Sequence, residues 1–335
     1  MKKSFKVIFT IIGTVIGAGF ASGQEIYSFF NIYGEQGFLG IILSDLLTGF
    51  IIYKILKKSN KYSIISYKHL LKNTNLPQNV INVFNIIVNI FLILSFYIMV
   101  AGFATYFKQE FNIPKIIMIL ITVLICYFTF KKKIEGITKI NNIIIPILIL
   151  IICVIGIKVN IMEEIQKIEI QNIQIKNNLS WMIKSIEYAS YNSILLIPML
   201  ISIKKYAVNK EKSVSIISTV ILFILSSIIF FIIIKYRYIG NINNIEMPMV
   251  YIAGKFGEIY KYIYGIVIIF SIYSTMISAG YGLLENVEKE KYQFFNRILC
   301  FSAIFIAHIS FAELINITYP VFGILGIIQL IYVLK

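Results

Sequence analysis

The sequence predicts an all-α integral membrane protein of about ten transmembrane helices, laid out as a five-plus-five inverted repeat with helices one and six broken. Three observations predict it. Hydrophobic residues make up 58% of the 335 and charged ones 14%, with a mean hydropathy of +0.83. A soluble domain carries about a quarter charged residues and slightly under half apolar ones, so a soluble enzyme, a disordered chain and a disulfide scaffold are all excluded. Apolar stretches close to the ~20 residues that cross a hydrocarbon core recur from end to end. Two of these stretches are interrupted at corresponding places in the two halves.

Taken in order, the expected spans are 5–31, 36–56, 79–107, 113–130, 138–157, 179–202, 213–235, 258–284, 292–310 and 315–334. Together they fill one transmembrane domain over 1–335, with half-repeats of about 1–157 and 179–335. Lys2-Lys3 followed by an apolar run imitates a secretory signal. The apolar pattern resumes after Gly23 into Ile26–Phe30, which fits an interrupted membrane helix instead.

The formal charge of +15 orients the chain. The N-terminus, the loops 54–78, 131–139, 203–212 and 285–297, and Lys335 hold 21 of the 31 Lys and Arg. Lys158, Lys167, Lys235 and Arg237 are among the remainder, on the opposite side. The positive-inside rule then places both termini in the cytoplasm, in a multi-pass cell-membrane protein. Nucleic acid is not an expected partner, because runs such as Lys131-Lys132-Lys133 abut apolar helices and read as anchors against lipid.

Span one contains Gly13-Thr14-Val15-Ile16-Gly17-Ala18-Gly19-Phe20-Ala21-Ser22-Gly23-Gln24-Glu25. Glycine weakens a helix interior. Unwound backbone at membrane depth survives only where it is buried in protein or lines a cavity, and ions or polar solutes can satisfy it there. Small-xxx-small packing between helices is the competing reading. Span six carries a second polar stretch, Glu187-Tyr188-Ala189-Ser190-Tyr191-Asn192-Ser193, with Pro198 beyond. Each interrupted span opens a half, and five spans per half invert the second half. That is the pattern of secondary transporters with a midplane site.

The run Thr14–Glu25 resembles the signature of YkvI-type bacterial membrane proteins, which are similar to the amino acid–polyamine–organocation superfamily with its leucine-transporter fold. The resemblance spans the chain and is most specific in spans one, six and eight. It implies a sodium site between spans one and eight, with ligands from the Ser274 and Thr275 hydroxyls and the Ser271, Gly13 and Ile16 carbonyls. Serine and threonine in membrane helices also commonly bond their own backbone.

Three carboxylates fall inside spans: Glu25, Asp45 and Glu187. Charges there are costly and are functional hypotheses by default. Glu25 and Glu187 are candidates for a substrate ammonium or a coupling proton, and Lys184 is a ready ion-pair partner for Glu187. Asp45 reads as a structural hydrogen-bonding residue. The expected binding set is Ala18, Gly19, Ala21, Ser22, Gly23, Glu25, Glu187, Ser190, Tyr191 and Asn192. Cys126, Cys153 and Cys300 stand singly, and His69 and His308 lie far apart. With no HExxH, no GxSxG and no paired catalytic aspartates, an enzyme is not expected.

The expected function is a secondary transporter for a small polar organic solute, most plausibly an amino acid or related amine. It would work by alternating access coupled to Na+ or H+, with no other cofactor. The alternative is a permease-like sensor that binds a small molecule without moving it.

Overall fold

The computed structural model describes residues 2–74, 76–132, 137–161, 179–239, 245–284, 287–288 and 290–334. Lys133, Lys167, Lys289 and Lys335 of the charge distribution lie outside the described residues. Among the described residues every regular element is a helix.

The first apolar stretch folds as three pieces, α1 (Lys2–Val15), α2 (Ala18–Ser22) and α3 (Gln24–Phe29). The joints are glycines. Gly17 is extended, with φ −83° and ψ −171°. Gly23 is left-handed at φ 81°, which a side chain would strain. A Cβ at Gly23 would also sit 2.7 Å from Ile233 Cδ1 and 2.8 Å from Met249 Cγ. The break is therefore held open by conformation and by crowding together.

A 3-10 turn at Asn31–Tyr33 leads into α4 (Gln36–Lys61). α5 (Tyr67–Lys72) is a short helix capped by Ser66, whose Oγ accepts from the His69 N–H at 3.1 Å. α6 (Gln78–Phe111) begins behind Pro77 and stops at Asn112, which is left-handed at φ 55°. There follow α7 (Lys115–Lys132), α8 (Ile137–Ile161), α9 (Ser180–Ile203), α10 (Glu211–Ile239), α11 (Pro248–Lys255), α12 (Glu258–Leu284), α13 (Tyr292–Ile306) and α14 (Phe311–Val333). Among the described residues six helices (α4, α6, α9 with its terminal turn, α10, α12 and α14) are long and apolar enough to cross a membrane. Ile145–Val159 and α13 are shorter apolar helices. The amphiphilic pieces α5 and α11 fall below a 20-residue window and were not expected.

α9 corrects one expectation. The stretch 187–193, read as a second break, lies inside an uninterrupted helix. Three of the polar side chains in and beside it bond back along the helix itself. Ser185 Oγ donates to Trp181 O at 2.6 Å, Asn192 Nδ2 to Tyr188 O at 3.0 Å, and Ser193 Oγ to Ser190 O at 2.6 Å. Bonds back along the helix remove the need to unwind. The small residues instead admit a neighbour. A Cβ on Gly323 of α14 would lie 2.9 Å from the Glu187 carbonyl, and one on Gly326 would collide with the Ser190 carbonyl. Both numbers rise together, so α9 and α14 run parallel in close backbone contact, the small-residue packing that membrane helices favour.

A polar latch ties the loop before α11 to α14. Glu246 Oε2 accepts from the Phe311 N–H at 2.7 Å and from Ser310 Oγ at 3.0 Å, and Lys115 Nζ pairs with Oε1 at 3.0 Å. A carboxylate at a helix N-terminus satisfies free N–H groups and complements the dipole. Burial pushes the Glu246 carboxyl up, but Lys115, Ser310 and Phe311 outweigh it and hold the group below its ordinary value. A depressed folded value stabilises above the unfolded value and is lost as pH falls through the folded one. Glu246→Gln is therefore expected to cost about 1 to 2 kcal/mol near neutrality, given a side chain a quarter exposed. The deficit should shrink in acid, checked by thermal unfolding across pH.

Candidate functional site

Glu25 lies in the first turn of α3, just beyond the left-handed Gly23, so the break delivers its carboxylate to the protein interior. Glu25 is 3% exposed, and among the described residues no Lys, Arg or His forms an ion pair with it. Its carboxylate lies directly over Gly19, where a Cβ would occupy the same space. The missing side chain of Gly19 thus makes room for a functional group. Tyr191 donates its hydroxyl to Glu25 Oε2.

Aromatic rings close around the pair. Tyr191 stacks on Tyr319 of α14 with centroids 4.5 Å apart and on Phe29 at 5.7 Å. Tyr188 meets Tyr191 edge-on at 5.4 Å and Phe29 at 5.3 Å. The Tyr188 hydroxyl is buried and has no hydrogen-bond partner among the described residues. A buried carboxylate with a tyrosine hydroxyl on one oxygen and a second hydroxyl close by is suited to an ammonium, through ion pairing and charge-assisted hydrogen bonds.

The other expected residues divide into three groups. Ala18, Gly19, Ala21 and Ser22 are buried in α2, where Ser22 Oγ donates to Gly19 O at 3.0 Å and Tyr264 of α12 donates to Ala21 O at 2.5 Å. Ser190 and Asn192 are buried on α9, with Asn192 spent on its own helix. Glu187 pairs with Lys184 at 2.6 Å, and Lys184 stands 5.9 Å from the Phe29 ring centre. Glu187 thus borders the site with its charge already answered.

Of the five sodium-ligand candidates, Thr275 packs on the break: a Cβ at Gly17 would lie 3.8 Å from Thr275 Oγ1. Ser271 and Ser274 are buried along the same helix, Ile16 is buried beside Gly17, and Gly13 lies in the last turn of α1. Tyr319 and Tyr264 were not singled out in the sequence. Their signal is position, since each lies within an apolar span rather than at its edge, where belt tyrosines belong.

A separate cavity of about 530 Å³ opens among the ends of α6, α7, α11 and α12. Four of its seven lining charges are paired, Lys115 with Glu246 and Lys261 with Glu110, each at 3.0 Å.

No family model matches the chain. YkvI, an uncharacterized membrane protein of Bacillus subtilis (strain 168), is 25% identical over 329 residues, covering 95% of this chain and 91% of YkvI. The chain is homologous to YkvI. Among solved structures, a variant of the Eremococcus coleocola manganese transporter superposes with a TM-score of 0.64 at 14% identity, over 98% of this chain and 78% of that one. A Na+-coupled sialic acid symporter in a substrate-bound outward-open state gives a TM-score of 0.51 at 14% identity, over 97% of this chain and 76% of its own. The chain is a multi-pass membrane protein with the fold of these transporters.

Proposed function

We propose that the protein is a secondary transporter for a small polar organic solute bearing an ammonium group, an amino acid or a related amine, coupled to Na+ or H+. One observation carries the reading: an unpaired buried carboxylate, Glu25, sits at the interrupted helix under a tyrosine hydroxyl and a wall of aromatic rings. Glu25 takes the ammonium. The N–H groups of Ala18 and Gly19, in the uncapped first turn of α2, address a carboxylate at the other end of an amino acid.

Alternating access follows from a five-plus-five inverted arrangement, in which α1–α3 and α9 are the opening helices of the two halves. Both termini face the cytoplasm, in line with the basic loops. Uptake into proteoliposomes across the common amino acids and simple primary amines tests this reading. Accumulation of at least one of them under a Na+ or H+ gradient is expected. Thermal stabilisation by a ligand with no uptake under any gradient would point to the non-transporting sensor instead.

Sodium coupling is tested separately. Changing Ser274 and Thr275 together to Ala is expected to reduce Na+-stimulated uptake at least tenfold while leaving the protein folded. Unchanged sodium dependence in the folded variant would remove that site and place the coupling sodium elsewhere.

A further inference from the structure

Asp45 stands apart from the Glu25 centre, in the seam between α4 and α10. It is 5% exposed, and among the described residues no cation forms an ion pair with it. Its carboxylate meets one hydroxyl, Ser226 Oγ, at 2.7 Å. The same Oγ lies 2.9 Å from Leu222 O and 3.2 Å from Phe223 O.

A serine hydroxyl has one proton and several acceptor positions. Three acceptors therefore compete for a single proton, and the competition resolves in two ways. If Asp45 holds a proton, it donates to Ser226 Oγ, and Ser226 donates back to the Leu222 carbonyl as a helical serine ordinarily does. If Asp45 is ionised, Ser226 turns its proton to the carboxylate. Rotation of one hydroxyl serves both states without moving a helix.

The neighbouring oxygens do not build a metal site. Ser44 Oγ donates to Ile41 O at 3.0 Å and Thr48 Oγ1 to Ser44 O at 2.8 Å. One hydroxyl beside one carboxylate leaves a hard metal cation short of oxygen ligands. A proton needs no more than is there. A bare carboxylate buried at membrane depth is costly, so an arrangement that accepts both protonation states is a specific provision.

We propose that Asp45 and Ser226 form a proton-binding site that loads and unloads during transport, while Glu25 holds the substrate. The role in transport rests on the function proposed above; the proton site itself does not. Few other titratable groups face it. Tyr188 on α9 feels the charge of both Asp45 and Glu25. α10 presents Ser226, and its Glu211, Lys212 and Lys235 lie at its ends. Lys54 and Lys57 of α4 stand over the rings of Phe50 and Tyr53, further along that helix.

Infrared spectroscopy of the purified full chain in lipid nanodiscs, titrated with pH, reads the site without any ligand. The protonated-carboxyl carbonyl band of the wild type is expected to lose one component in Asp45→Asn and to shift in Ser226→Ala, which removes its hydrogen-bond partner. A band identical in wild type and Asp45→Asn overturns the site.

Proteoliposomes then read the role, using whichever solute of the panel the wild type accumulates most. Asp45→Asn is expected to keep solute exchange across equal gradients within about threefold and to lose accumulation driven by a proton gradient. Proton-driven accumulation equal to wild type, or loss of exchange along with it in a folded protein, overturns the coupling role. A wild type that moves no solute overturns the transport reading, and the infrared band still decides the proton site.

Discussion

Glu25→Gln is expected to weaken solute binding at least about 30-fold, the equivalent of about 2 kcal/mol, and to reduce uptake correspondingly. Removing one member of a buried charge pair costs 2–5 kcal/mol or more, and a tenfold change in affinity is 1.4 kcal/mol. Glutamine keeps the size of the side chain over Gly19 and still accepts the Tyr191 hydroxyl, so the fold should persist. Tyr191→Phe is the companion variant. It keeps the stack on Tyr319 and Phe29 but removes the donor, and a smaller loss, about three- to tenfold, is expected. Calorimetric titration of the accumulated solute measures both. Undiminished affinity in a folded Glu25→Gln protein would remove Glu25 from the binding centre.

The largest expected effect on stability belongs to Gly326→Val. The β-carbon would run into the Ser190 carbonyl, and a backbone atom cannot rotate aside as a side chain can. Overpacking of this kind costs about 1–3 kcal/mol and sometimes more; the upper end is expected where two helix backbones must separate. Because α9 also carries Tyr191, the same substitution should impair binding. Gly282→Ala on α12 is the control. A Cβ there meets Leu92 at 3.4 Å, close to ordinary contact, and helix propensity favours alanine. It should unfold within about 1 kcal/mol of the wild type, on the stable side. Thermal unfolding in detergent compares the two, and equal midpoints would show that the α9–α14 contact has slack.

The first break was legible because it is written in glycine. Gly17 and Gly23 sit where the chain bends, and a left-handed φ leaves a trace in sequence. The second expected break misled because polarity alone does not unwind a helix. Ser185, Asn192 and Ser193 carry their own acceptors one turn back, and the small residues around them serve α14, whose glycines lie more than 130 positions away in sequence. Glu187 and Lys184 were readable as a pair, since residues three apart share a helix face. Tyr319 was not, because its role arises from the parallel pairing of α9 and α14. Ser226 escaped notice for the same reason: nothing near it in the chain points to Asp45, 181 positions away.

The five residues of α2 sit between Gly17 and Gly23 as a short, fully packed link, and α9 is a rod clamped against α14. A machine built from one link and one rod is lopsided. The link is the place where the backbone departs from the helix, and the rod is where two helix backbones come into close contact. The two polar stretches are thus built differently, one broken at glycines and one held continuous.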